Sequence, residues 1–394
     1  MILTRKQEEG LRVVLDKHEK GDKYAVIAGY AGTGKSTLVK FIISALNVAP
    51  EKVAYATYTG KAAEVLRKKG NPGACTLHHL LYEHYPKASG GFGRRIRKEL
   101  DYTVVVVDEV SMVPKSMVDL LMTHHIFIIF LGDPFQLPQI DKTEENDLLK
   151  HPDVFLDEVM RQAAESEIIR LTMKIRNFEP ISFMKGNEVC VVKQNELNTG
   201  MLTWADQILV ATNATRHSIN DQVRGLLGYS GLPKNGEKII CKRNYWDDTN
   251  ENGDALVNGT TGTLINPCTS FIRVPNRIQT DEREVPIIIG DFKPDGGDTF
   301  PLLDMDRTFF TKEEPFLDWR VQYQLGKMKY IYGDLIPKNF TYAYAITCHS
   351  AQGSEWDKVL VIEESFPNVK IEHARWLYTA ATRASEKLVI RRNE

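Results

Sequence analysis

The chain has 394 residues, 42% of them apolar and 26% charged, and a formal net charge of −2. That length exceeds one compact core and suggests two to three domains at roughly 150 residues each. The near-neutral balance excludes a uniformly basic, histone-like binder of nucleic acid but not a basic groove. No apolar run of about 20 residues is present, so no membrane span is expected. The N-terminus carries no apolar secretion segment, which places the protein in the cytoplasm. Cys75, Cys190, Cys241, Cys268 and Cys348 have no CxxC spacing, so neither a zinc site nor a disulfide framework is indicated.

In chain order, residues 4–20 have the apolar spacing of an amphipathic helix. Residues 23–28 (KYAVIA) read as a short buried strand that runs into a glycine loop. A helix over 38–46, a strand over 53–56 and a helix over 61–69 follow. Residues 102–107 (YTVVVV) and 126–131 (IFIIFL) are continuous apolar strands. Such runs alternating with helices mark a parallel sheet covered on both faces. Residues 1–157 therefore read as one doubly wound α/β domain, interrupted at 82–100 by a segment whose Gly90-Gly91-Phe92-Gly93 core suits a hairpin tip. A second α/β set has a strand at 207–211, a helix at 214–226, a strand at 358–362 and another from 388. It assigns 158–230 and 341–394 to a second α/β domain. Between them, residues 231–340 are rich in Gly, Pro, Asn and Asp, with short strands at 238–242, 260–265 and 285–289. This reads as an inserted β-rich module.

The segment Gly29-Tyr30-Ala31-Gly32-Thr33-Gly34-Lys35-Ser36 fits the phosphate-binding pattern GxxxxGK[ST], with a strand before it and a helix through Thr37 after it. Its backbone N–H groups would cradle phosphates. Lys35 would reach the β- and γ-phosphates of a nucleoside triphosphate, and Ser36 would ligate Mg²⁺. Asp108-Glu109 closes the strand at 102–107. Alone, such a pair is an ordinary solvated turn. In a phosphate-loop domain Asp108 would hold Mg²⁺ through water, and Glu109 would activate the attacking water. Gly132-Asp133-Pro134-Phe135-Gln136-Leu137-Pro138 follows the next strand, where Gln136 could sense the γ-phosphate. Arg383, and secondarily Arg161, could stabilise transition-state charge from a second domain.

Taken together and in order, Gln7, GYAGTGKS (29–36), ATYTGKAA (56–63), ACTLHHLL (74–81), VVDEVSM (106–112), LGDPFQLPQ (131–139), MRQ (160–162), TN (212–213), YAITCHSAQGSEWDKV (344–359) and LYTAATRA (377–384) resemble a superfamily 1 helicase of the RecD-like group, which includes the Dda-type phage helicases. The resemblance implies two RecA-like domains with ATP and Mg²⁺ between them. It implies that Gln7 reads adenine, that Arg161 and Arg383 are supplied across the cleft, and that Gly353 and Glu355 link nucleotide to strand. The implied DNA-binding positions are Thr59, Lys61, Thr76, His78, Thr347 and His349. The 82–100 insertion falls where relatives carry a strand-separating pin, with Phe92 at its tip and Arg94, Arg95, Arg97 and Lys98 beside it. The 231–340 insertion falls where relatives carry an SH3-like module. Many relatives have a lysine where this chain has Ser350, which removes one phosphate contact or leaves it to another residue. The resemblance further implies a monomeric, cytoplasmic motor of a bacterial or phage-infected cell that moves 5′ to 3′ on single-stranded and fork DNA. Its partners would be single-strand-binding, replication, repair or recombination proteins. An ATP-switched loading factor and an RNA-directed helicase are the alternatives.

Overall fold

The computed structural model describes residues 3–86, 92–138, 142–251 and 255–392. By compactness the chain divides into two units, Met1–Tyr82 with Ile96–Arg216 and Ile346–Glu394, and Glu83–Arg95 with His217–Ala345.

The first helix, α1 (Arg5–Glu19), opens on a capping box: Gln7 N–H donates to the Thr4 hydroxyl, and Thr4 N–H donates to the Gln7 carboxamide. Then come β1 (Tyr24–Gly29), α2 (Lys35–Leu46), β2 (Val53–Thr57), α3 (Gly60–Lys68), β3 (Cys75–Thr76) and α4 (Leu77–Leu81). β4 (Tyr82–Pro86) and β5 (Phe92–Ile96) pair as two hairpin arms. The expected tip at Gly90 and Gly91 lies outside the described residues, as do the side chains of Phe92 and Arg94; the Phe92 backbone opens β5. β6 (Val104–Val107), α5 (Lys115–Leu121), β7 (Phe127–Gly132) and β8 (Val154–Leu156) complete a sheet of order β3-β2-β6-β7-β1-β8. Every pairing in it is parallel.

The four valines of β6 show why the run is continuous rather than alternating. Val104 and Val106 pack on one face with Val14, Leu38 and Ile42, while Val105 and Val107 pack on the other with Leu121 and Phe130. Both faces are covered, so both parities must be apolar. β6, β7 and β1 are neighbours, so their carboxyl ends deliver Asp108, the 132–138 loop and the phosphate loop side by side.

The chain continues through α6 (Arg161–Ala164), α7 (Glu167–Arg176), β9 (Met184–Lys185), β10 (Val189–Lys193), α8 (Thr199–Trp204), β11 (Gln207–Val210) and α9 (Asn213–Leu226). In the second unit come β12 (Lys238–Cys241), β13 (Tyr245–Thr249), β14 (Ala255–Leu256), β15 (Thr261–Arg273), β16 (Glu284–Pro294), β17 (Phe300–Asp306), α10 (Phe309–Lys312), α11 (Trp319–Lys327), α12 (Lys329–Tyr332) and β18 (Phe340–Tyr342). β19 (Ala345–Thr347), β20 (Trp356–Ile362), α13 (Lys370–Ala381) and β21 (Ala384–Arg392) complete a second sheet, ordered β19-β11-β20-β21-β10-β9. β11, β20, β21 and β10 are parallel, and β9 is an antiparallel edge. The last strand starts at Ala384, four residues before its apolar stretch, because its exposed opening residues carry no apolar signal.

The inserted module is a five-stranded antiparallel sheet, β17-β16-β15-β12-β18, around Ile239, Leu264, Phe292 and Phe340. It differs from the sequence expectation in its bounds, which reach from His217 to Ala345 instead of 231–340, and in two of its elements. Asn266-Pro267 does not end the strand begun near 260: Asn266 takes a left-handed φ of +50° and the ladder resumes at Cys268 after a bulge. Helices α10 to α12 also belong to it, and α11 buries Val321 and Leu325 at four-residue spacing. Their signal is short and sits among Gly, Pro and Asp, which hid it.

Phe130 is fully buried on the face of the first sheet opposite the phosphate-loop helix. Phe130→Ala is expected to destabilise the protein by about 3–5 kcal/mol in urea unfolding. A loss below about 1 kcal/mol would contradict this packing.

Candidate active site

β1 ends at Gly29, and the loop turns into α2 through Gly32 and Gly34 at φ +76° and +78°, a region strained for residues with a Cβ. Gly34 caps α2 without a side-chain hydrogen bond, so the first-turn N–H groups are left for an anion. The Lys35 ammonium folds onto the loop, donating to Gly29 O at 2.7 Å and Tyr30 O at 3.1 Å. Thr33 is buried and donates to Tyr30 O at 2.8 Å, so its hydroxyl shapes the loop. Gln7 lies buried against the same backbone, its Nε2 donating to Thr33 O at 3.2 Å. Both ends of its amide are engaged, and it does not line the cleft cavity.

That cavity, 240 Å³, is bordered from the first sheet by Ala31, Gly32, Lys35, Ser36, Asp108, Glu109 and Gln136, and from the second by Gly353, Glu355 and Arg383. Thr37 faces an adjoining smaller cavity behind the loop. Asp108 accepts from Glu109 N–H at 2.8 Å. Burial, reinforced by the Glu109 charge and opposed by Lys35, pushes its carboxyl up to about 6. Glu109 holds a left-handed φ of +54°, an uncommon state for a residue with a side chain and one that clusters at active sites. Arg383 is 4% exposed and its Nη1 stands 3.9 Å from Glu109 Oε1. With its amide oriented to satisfy both ends, Gln136 donates to Glu109 Oε2 at 3.2 Å and accepts from Arg383 Nη2 at 3.1 Å. Arg383 is itself anchored, donating to Thr379 O at 3.1 Å and Ser354 O at 3.2 Å. Arg161 opens α6, and Met160 N–H beside it donates to Gly32 O at 2.9 Å. The Arg161 side chain lies outside the described residues.

The expected strand-facing residues occupy a second set of loops. Thr59 and Thr76 N-cap α3 and α4, accepting from Ala62 N–H at 3.2 Å and His79 N–H at 3.1 Å. Capping uses a lone pair and leaves each hydroxyl proton for another acceptor. Their strands are adjacent, with Thr57 opposite Thr76. Lys61 is drawn toward Glu64, 3.6 Å away, so the ammonium expected to meet a phosphate is partly engaged within its own helix. His78 stacks on Tyr82 at 5.9 Å. Burial lowers the pKa of His349, which favours its neutral form. Thr347 and Ser350 share a 3.0 Å hydrogen bond, so the two hydroxyls face each other. Gly353 joins the two sets. It borders the nucleotide cavity at φ +72°, and a Cβ there would lie 2.9 Å from Ala62 Cβ and 3.0 Å from Thr59 Oγ1. Glu355 pairs with Lys69 at 2.6 Å.

Comparison with known proteins bears on the same motifs. A model of an AAA domain matches residues 3–186, and one of a UvrD-like helicase C-terminal domain matches residues 342–390. These matches make the chain similar to the superfamily 1 helicases of the RecD, Dda and Pif1-like group. It is 25% identical to the ATP-dependent RecD2 DNA helicase of Deinococcus radiodurans over 93% of this chain and 46% of that one. It is 28% identical to the ATP-dependent DNA helicase dda of Enterobacteria phage T4 over 44% of this chain and 43% of that one. The chain thus spans less than half the length of these curated relatives. Its fold is similar to that of a solved Pif1 helicase described in the unwinding of forked duplex DNA, with a TM-score of 0.55, 18% identity, and coverage of 99% of this chain and 92% of that one. No helix among the described residues is long and apolar enough to cross a membrane.

Tyr378, in the LYTAATRA segment, carries no sequence signal of its own. Its buried hydroxyl donates to Asp133 Oδ2 at 2.6 Å and accepts from Ala31 N–H at 2.8 Å. One residue on, Thr379 Oγ1 accepts from Leu137 N–H at 2.9 Å. Gln352 Nε2 donates to Leu137 O at 2.6 Å. What LYTAATRA shows is that its 378, 379, 382 and 383 positions share a helical face. Nothing in the sequence said that this face meets the phosphate loop.

Tyr378→Phe leaves a buried carboxylate and the Ala31 N–H without their hydroxyl partner. It is expected to cost about 1–3 kcal/mol in urea unfolding and to slow steady-state ATP turnover; wild-type turnover would discount the bridge. Asp108 titrates above its unfolded value, so its protonated form favours folding. That contribution is complete below the unfolded pKa and is lost as pH rises through about 6. Asp108→Asn should therefore raise the melting temperature of the nucleotide-free protein at pH 7.5 and flatten its pH dependence below 6, while abolishing turnover. An unchanged melting profile would count against a buried Asp108 charge.

Proposed function

We propose that this chain is an ATP-driven motor that moves 5′ to 3′ along single-stranded DNA and separates duplex strands. The observation that carries the reading is Arg383 of the second sheet meeting Glu109 and Gln136 of the first beside the Lys35 loop. A triphosphate in that cavity would give Lys35 and Arg383 a common anionic partner, with Arg161 a second arginine for it. Gln136 would turn from its neighbours to the γ-phosphate, and Glu109 would orient and deprotonate the attacking water. The oxygen donors Ser36 and Asp108 border the same space, which suits Mg²⁺, and a divalent cation would relieve the crowded charge at Asp108 and Glu109. Mg²⁺ would supply charge neutralisation on the phosphates when bound.

Movement along a strand follows from the Gly353 contact with Thr59 and Ala62. Closure around nucleotide would press the 344–359 segment on the end of α3, where Thr59, and Lys61 once released from Glu64, would meet phosphates, with Thr76, His78, Thr347 and His349 completing the track. On the family pattern Gln7 would serve adenine, β4 and β5 would be the pin, and the five-stranded module would be SH3-like. A monomer suffices for this scheme. The names of the RecD2, dda and Pif1 relatives favour DNA over RNA as the track.

An unwinding assay with 5′-tailed and 3′-tailed duplexes, with DNA and RNA as ATPase activators, tests substrate, activity and polarity together. Activity on 5′-tailed DNA is expected; DNA-independent ATP turnover without unwinding would favour a loading factor. Arg383→Ala is expected to reduce turnover by roughly 10³-fold or more at saturating DNA, and a near-normal rate would remove its catalytic role.

A further inference from the structure

Helix α11 has two unlike faces. Val321 and Leu325 are buried with Leu317, Ile278 and Ile287. On the other side Trp319 is 72% exposed and Tyr323 59%, and Tyr330 of α12 is 62% exposed. Trp319, Tyr323 and Lys327 recur every four residues, so they share one helix face at steps of about 6 Å. Large rings this exposed, gathered in one short segment, are what an interaction site presents rather than what a solvated surface needs.

The charges around these rings add a second observation. The Arg320 guanidinium lies 5.6 Å from the Trp319 ring and the Lys327 ammonium 4.4 Å from the Tyr323 ring. Neither cation forms an ion pair among the described residues. The nearby acids are committed elsewhere: Asp318 accepts from the N–H groups of Arg320 and Val321 at the start of α11, and Asp334 pairs with Lys329 and Lys338.

We propose that the outer face of α11 and α12 is a stacking surface for single-stranded nucleic acid, separate from the strand-facing loops of the motor. Bases would lie on Trp319, Tyr323 and Tyr330, and Arg320 and Lys327 would meet the phosphates. Rings at regular intervals with unpaired cations beside them are the elements of sequence-tolerant strand binding. A protein-docking face is the less favoured reading, because such faces are depleted in lysine at their cores. The inference rests on the nucleic-acid reading above and extends it to a surface that reading does not use.

The test is binding of fluorescein-labelled oligothymidine to the full chain, followed by anisotropy across a salt series. Trp319→Ala and Tyr323→Ala should each weaken binding by roughly tenfold, and Trp319→Phe should restore most of it because a ring remains. Arg320→Ala and Lys327→Ala should each reduce the slope of log affinity against log salt by about 0.7. ATP turnover without DNA should stay at wild-type level in all four alanine variants, since none of these residues borders the cleft. If wild-type protein binds oligothymidine and the aromatic variants bind equally well, the surface is not a strand site and a protein partner becomes the better reading. If wild-type protein neither binds the strand nor is stimulated by it, the motor assignment itself has failed.

Discussion

Two carboxylates at the end of a buried strand set the terms for the whole cleft. Asp108 and Glu109 are adjacent in sequence, follow four buried valines and are both partly buried, and burial together with the Glu109 charge pushes the Asp108 carboxyl up. Like charges in a low dielectric must be protonated, separated or compensated. The Asp108 carboxyl is pushed up, Glu109 takes a left-handed backbone, and Gln136 from the first sheet and Arg383 from the second both meet Glu109 and each other. A cleft balanced in this way responds strongly to any anion or cation that enters.

Helix α13 turns that response into a mechanical connection. Within two turns it presents Tyr378 to the phosphate loop and Asp133, Thr379 to Leu137, and, just past its end, Arg383 to Glu109. Each contact uses a buried polar group whose loss would leave a partner unsatisfied, so the helix cannot slide relative to the first sheet without breaking several at once. On the other side of the cavity, Gly353 allows the second sheet's loop to touch the capping residue of α3, because any side chain there would collide with Thr59 and Ala62. The cavity-lining loop at 353 and the start of α3 are therefore packed too closely to admit a side chain between them.

Much of this architecture was legible in the residues. The strands at 24–29, 104–107 and 127–132 announced themselves because burial on both faces leaves no polar parity. GxxxxGKS identified its loop because glycine adopts the left-handed turns at Gly32 and Gly34 without strain. The misses have equally local causes. An Asn-Pro pair looked like a strand end and is a bulge, and α11 was concealed by the glycines and acids around it. The donation from Gln7 to the Thr33 carbonyl is a partnership no sequence spacing could reveal.

The sequence by itself determined which chemistry is available: a phosphate cradle, a pair of carboxylates and an arginine, each attached to the end of a regular element by local rules of capping, turn and hydrophobic period. Tertiary structure decided which of them meet. Arg383 lies 274 positions from Glu109 and Tyr378 lies 347 from Ala31, and nothing in local propensity relates residues so far apart. Their meeting depends on strand order, β6-β7-β1 in one sheet and β20-β21 in the other, which brings the loops at the strand ends together. That order is selected by the burial of whole sheet faces, a property of the assembled core.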